Sequence, residues 1–164
     1  MFSDMPTPTP TPTPFEALVG VANASAPLPN LVTGGQPGPA HFQRLKEAGL
    51  EVVLDIRDPM EPRPLDEPAA VRTLGMTYVN IPVTAATMDD DTMERLLDVV
   101  RSNAGRPMLF HCASGNRVGG ALIAHLMLDH GLTEDDAIQA AMRGGLRGAD
   151  VLEWGLDYVR RKRG

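Results

Sequence analysis

The chain has 164 residues, 43% of them apolar, and a formal net charge of −6. That size and composition suit one globular domain with a real core. They argue against a general nucleic-acid binder, because counterion release needs clustered lysine and arginine. The single cysteine rules out an internal disulfide and a cysteine-based zinc cluster.

An alternating Thr-Pro tract runs from Pro6 to Pro14. It favours extended polyproline II and cannot bury a core, so residues 1–14 are expected to be a disordered tail. Residues 15–164 are then the folded domain. "NLVTGGQP" is a short strand or entry segment closed by Gly34, Gly35 and Pro37. "GPAHFQRLKEAGL" predicts a helix with Pro39 in its first turn and Gly49 as its stop. "EVVLDI" is a buried strand. "DEPAAVRTLG" is a short helix with Asp66 as N-cap and Gly75 as stop. "MTYVNIPV" is a strand ended by Pro82, and "DDDTMERLLDVVRSNAG" is a helix with Met93, Leu96, Leu97 and Val100 inward. "PMLFHC" is a further strand. Helices are expected over 117–130, 133–142 and roughly 149–162, with Thr133 and Asp136 resembling a capping box.

Strands alternating with helices imply one α/β domain: a mainly parallel central sheet flanked by helices. Ligands in that architecture bind at the carboxyl ends of the strands. The ends of "EVVLDI", "MTYVNI" and "PMLFHC" therefore share one functional edge.

Cys112 sits on that edge. A strand ends at His111, and Cys112-Ala113-Ser114-Gly115-Asn116 is a turn of small residues. Arg117 opens a helix, followed by Val118, Gly119 and Gly120. Backbone amides in such a turn, backed by a helix N-terminus, form an anion nest. The same field favours a thiolate over a thiol. Arg117 adds a planar fork suited to a tetrahedral oxyanion. The two glycines would let the helix lie close to the sheet. A lone cysteine is ordinarily a small buried hydrophobe; the turn, the arginine and the helix together point to a nucleophile.

"HCASGNRVGG" resembles the signature loop of the cysteine-dependent protein phosphatases. The stretches "NLVTGGQPGPAHFQRLKEAGLEVVLDIR", "YVNIPV" and "HCASGNRVGGALIAHLML" resemble their small bacterial branch, the beta-lactamase-hydrolase-like phosphatase-like domain. The resemblance spans about residues 28–145. It implies a protein-tyrosine-phosphatase-like fold, Cys112 as nucleophile and Arg117 as the oxyanion-binding arginine. It also implies an anion loop of Ala113, Ser114, Gly115 and Asn116, continued by Val118.

Three departures accompany it. Tyrosine and dual-specificity phosphatases place one residue more between cysteine and arginine; here there are four. Val118 stands where a serine or threonine commonly assists thiolate departure. The general acid is expected after the "IPV" strand, where Asp89, Asp90 and Asp91 read equally as a helix cap. Asp58 is a rival acid. Arg57, His111 and Gln36 are candidates for the edge of the site, with Asp55 structural.

Three functions follow. One is phosphomonoester hydrolysis through a phosphocysteine. The second is rhodanese-type sulfur transfer through a persulfide, which suits the short loop and needs no acid. The third is a non-catalytic anion- or partner-binding module. The expected partner is a phosphorylated or sulfane-sulfur substrate, with no cofactor and no metal, since His41, His111, His125 and His130 lack ligand spacing. No apolar run reaches the roughly 20 residues of a membrane span, and the N-terminus lacks a signal-peptide pattern. A cytoplasmic protein is expected, and no protein partner can be read.

Overall fold

Short runs of β-branched and other apolar residues set the sheet. In the computed structural model, which describes residues 10–164, these runs form β2 (Leu31–Gly34), β3 (Val52–Asp55) and β5 (Met108–His111). Every residue of the three strands is buried, as interior parallel strands require. β4 (Thr77–Asn80) and β1 (Ser25–Leu28) lie at the two edges, in the order β1-β2-β5-β3-β4. Only β1 runs antiparallel. In the parallel part, Gly34, His111, Asp55 and Asn80 stand in one register row. That row is the carboxyl edge of the sheet. β5, the last strand in the chain, is inserted between β2 and β3, so the chain exits it at the point where the strand order reverses.

Alternate side chains of each strand feed two cores. On one face, Val32, Val53 and Leu109 pack with α1 (Pro14–Ala17), α2 (Pro39–Glu47) and α3 (Glu67–Thr73). On the other, Leu31, Val52, Leu54, Met108 and Phe110 pack under α4 (Asp90–Ser102), α5 (Val118–His130), α6 (Glu134–Arg143) and α7 (Ala149–Arg163). α5 is buried almost all round, because α6 and α7 cover the side the sheet leaves open.

Two glycines of α5 act differently from the sequence expectation. A Cβ on Gly119 would meet Leu146, and one on Gly120 would fall 2.7 Å from Trp154. Both therefore admit the α6–α7 segment rather than the sheet. Gly155 of α7 faces Gly120, and its Cβ would lie 2.6 Å from the Gly120 carbonyl.

The N-terminal tract differs at its end. Thr13 caps α1, accepting from the Glu16 amide at 3.2 Å, and Pro14 takes the first helical turn. The Thr-Pro tail therefore does not extend to residue 14. Its residues 1–9 lie outside the described part of the chain. Among the described residues no helix is long and apolar enough to cross a membrane.

Candidate active site

The chain leaves β5 at His111 and turns through Cys112–Arg117 into α5. Three distant segments hold that turn. Cys112 donates its amide to Gly34 at 3.3 Å, and Ala113 accepts from the Gln36 amide at 3.1 Å. Asn23 donates to the Ser114 carbonyl at 2.7 Å. Asn116 Oδ1 accepts the amides of Arg147 (2.9 Å) and Gly148 (3.0 Å). Gly115 has φ +92°, which favours glycine. Its amide points inward and donates to Cys112 Sγ at 3.1 Å. Cys112 is 1% exposed.

Arg117 is half-buried and carries its fork toward the loop that follows β3. Its Nη1 and Nη2 donate to Glu61 at 2.8 and 2.9 Å, and Nη1 also reaches the Val83 carbonyl at 3.1 Å. Arg117's hydrogen bonds, helped by Arg57 and opposed by partial burial, hold the Glu61 pKa down at about 2. Glu61 also accepts from the Asp58 amide at 2.7 Å and from Arg57 Nε at 3.2 Å. Arg57 is only 7% exposed, its other nitrogens bonding Gln36 and the Pro62 carbonyl.

Beneath the turn lies a buried set of charges. His111 is fully buried; its Nε2 is 2.6 Å from Glu67 Oε2 and its Nδ1 is 3.1 Å from the Cys112 carbonyl. Burial opposes charge on His111, but Glu67 and Asp55 outweigh it and raise its pKa. Burial likewise opposes charge on Glu67, and His111, Gln36 and Arg63 outweigh it and lower its pKa. Asp55 accepts from Tyr78 at 2.6 Å and from the Arg57 amide at 2.9 Å, and forms an ion pair with Arg63 at 2.8 Å. Asp55, Glu67 and His111 cluster tightly enough to suggest a metal site. Asp55 and Glu67 are already matched to cations or neutral donors of the protein, and His111 to the Glu67 carboxylate, so the set reads as an ion-pair network.

The remaining expectations separate by position. Asp58 lines an open cleft of about 850 Å³ together with Glu61, Thr84, Asn116, Arg117 and Asp150. Asp89, Asp90 and Asp91 do not line it. Asp89 is the N-cap of α4, accepting from the Thr92 amide at 2.8 Å, and Asp90 pairs with Arg161 of α7. Val118 is the first residue of α5 and packs into the core, 1% exposed, so its side chain is not part of the anion loop. Sequence reasoning missed Glu61, Glu67 and Arg147, whose Nη2 donates to Ser114 Oγ at 3.0 Å. Their only sequence signal is charge in a loop or helix start.

A family model described as "PTP-NADK: DSP-PTPase phosphatase fused to NAD+ Kinase" matches residues 22–151. The chain belongs to this family. The match bears out the resemblance at the level of the cysteine-dependent phosphatase superfamily, and makes the protein an enzyme of the hydrolase class. No curated protein matches the chain. A solved DUF442 protein from Shewanella putrefaciens CN-32 is 22% identical, with 90% of this chain and 97% of that chain covered and a TM-score of 0.76. The core catalytic domain of the PP-IP phosphatase SIW14 from S. cerevisiae is 17% identical, covering 87% and 92%, with a TM-score of 0.70. TpbA of P. aeruginosa is 20% identical, covering 85% and 84%, with a TM-score of 0.67. At these identities the solved structures speak for the fold, which is that of the family.

Proposed function

We propose that the protein hydrolyses a phosphomonoester through a phosphocysteine on Cys112. The observation that carries this reading is the turn at the carboxyl edge of the sheet, which holds the Gly115 amide 3.1 Å from Cys112 Sγ and ends in Arg117 at the start of α5. The Cys112 thiolate attacks phosphorus in line, an S–P bond forms and the P–O bond to the leaving group breaks. The turn amides and Arg117 stabilise the equatorial oxygens. Asp58, at the cleft and close to Arg117 through Glu61, supplies the proton to the leaving oxygen. Water then attacks phosphorus and gives Asp58 a proton, the S–P bond breaks, and inorganic phosphate and the thiolate are released. The substrate class is a phosphorylated compound. Among the relatives, SIW14 is named for PP-IP and TpbA has been solved with pTyr; a cleft open to solvent suits a substrate with bulk beyond its phosphate.

The test is a paired assay with purified protein. Phosphate release from p-nitrophenyl phosphate and sulfur transfer from thiosulfate to cyanide are followed for wild type, Cys112→Ser and Asp58→Asn. Phosphate release is expected to vanish in Cys112→Ser and to fall about 10²-fold or more in Asp58→Asn. Sulfur transfer without phosphate release would overturn the reading and assign the four-residue loop to persulfide chemistry. Silence in both would leave an anion-binding module.

A further inference from the structure

The two ends of the active-site turn are joined by a chain of hydrogen-bonded side chains outside the turn itself. From the Cys112 carbonyl the path runs to His111 (3.1 Å), then to Glu67 (2.6 Å). Gln36 continues it, donating through Nε2 to Glu67 Oε1 at 2.6 Å and accepting through Oε1 from Arg57 Nη1 at 2.8 Å. Arg57 reaches Glu61 at 3.2 Å, and Glu61 receives both terminal nitrogens of Arg117. Five side chains from four separate segments thus close a circuit between nucleophile and arginine.

The chemistry of the links fixes their roles. A carbonyl and a carboxylate both accept, so both ring nitrogens of His111 donate, and the ring carries a proton on each. Glu67 is the carboxylate bonded to that ring. Asp55, on the neighbouring strand, stands 3.9 Å from Nε2 and is engaged by Arg63, Tyr78 and the Arg57 amide. Gln36 is an amide with one acceptor and donors on the other side. It alone matches a carboxylate on one hand and a guanidinium on the other without adding charge.

We propose that Glu67 and Gln36 are positioning residues of this reaction: Glu67, through His111, sets the segment carrying Cys112, and Gln36 ties that segment to the carboxylate that aims Arg117. The proposal rests on the phosphatase reading only for its activity readout. It predicts separable effects. Losing the Glu67 charge removes the carboxylate that holds a proton on both nitrogens of the ring bonded to the Cys112 carbonyl. Losing Gln36 loosens the anion-binding end.

The experiment compares wild type, Glu67→Gln and Gln36→Ala. It follows the pH profile of Cys112 alkylation by iodoacetamide, with and without inorganic phosphate as protecting anion, beside kcat and KM on p-nitrophenyl phosphate. Glu67→Gln is expected to move the alkylation profile about one pH unit upward and to lower kcat about tenfold, with little change in KM. Gln36→Ala is expected to raise KM and the phosphate needed for half-protection about threefold or more, and more than it moves the alkylation profile. Folded variants, by circular dichroism and melting, that match wild type in both alkylation profile and protection would overturn the proposal. If Glu67→Gln does not fold, unchanged protection in Gln36→Ala overturns it. Altered alkylation and protection in an enzyme that releases no phosphate would sink the phosphatase reading and uphold the positioning.

Discussion

His111 and Glu67 show what a buried pair asks of pH. The His111 pKa is raised, so its contribution to stability is complete below the ordinary histidine value of about 6.5 and is lost as pH rises through the higher folded value. The Glu67 pKa is lowered, so its contribution is complete above the ordinary value of about 4.5 and is lost as pH falls. The pair therefore stabilises the fold fully only between those two values. Melting temperatures of wild type and Glu67→Gln measured from pH 3 to 9 should differ most in that window and converge on both sides. A difference constant across pH would mean the residue acts by packing alone. Little of this pair was legible in advance. Cys112 and Arg117 stand out because their spacing is local, whereas Glu67 lies 44 positions from His111 and Glu61 lies 56 from Arg117. Neither carboxylate has a local pattern that names its partner.

At the scale of elements the helices from α2 onward and the inner strands were readable because their periodicity is local and their ends carry Pro, Gly, Asp or Thr. β1 was not: "SAPL" includes a proline, alternates poorly and is admitted only at a sheet edge. The roles of Gly119 and Gly120 were misread because sequence shows that a glycine permits close approach, not which element approaches. That approach is testable at Gly155. Alanine there would set a methyl 2.6 Å from the Gly120 carbonyl, and backbone cannot turn aside as a side chain can. Gly155→Ala should destabilise the protein by about 1–3 kcal/mol in urea unfolding. In an open helix the same change would gain roughly 1 kcal/mol. A stabilised variant would mean that α5 and α7 separate freely.

Across the whole molecule, the basic end of α7 ties helices together more than it answers its own dipole. Arg161 pairs with Asp90, Lys162 with Glu94 at 2.9 Å, and Arg160 with Glu134 at 3.3 Å. All are exposed, so their worth is small and screened by salt. Arg161→Ala with Lys162→Ala should lower the melting temperature slightly at low ionic strength, and the gap should close near 1 M salt, where the Debye length is about 3 Å. A gap that persists would mark packing of the side-chain stems instead. The turn from Cys112 to Arg117 has a different kind of support. Gly35 leaves no room for a methyl beside the Ala113 carbonyl, Gly145 none beside the Ser114 carbonyl, and Gly115 none beside Gly144. The turn is thus walled by main chain from β2's exit and from the α6–α7 link. A descendant that gained one residue between Cys112 and Arg117 would collide with both walls at once. Loop length and the segments around it must be inherited as one character, changing together or not at all.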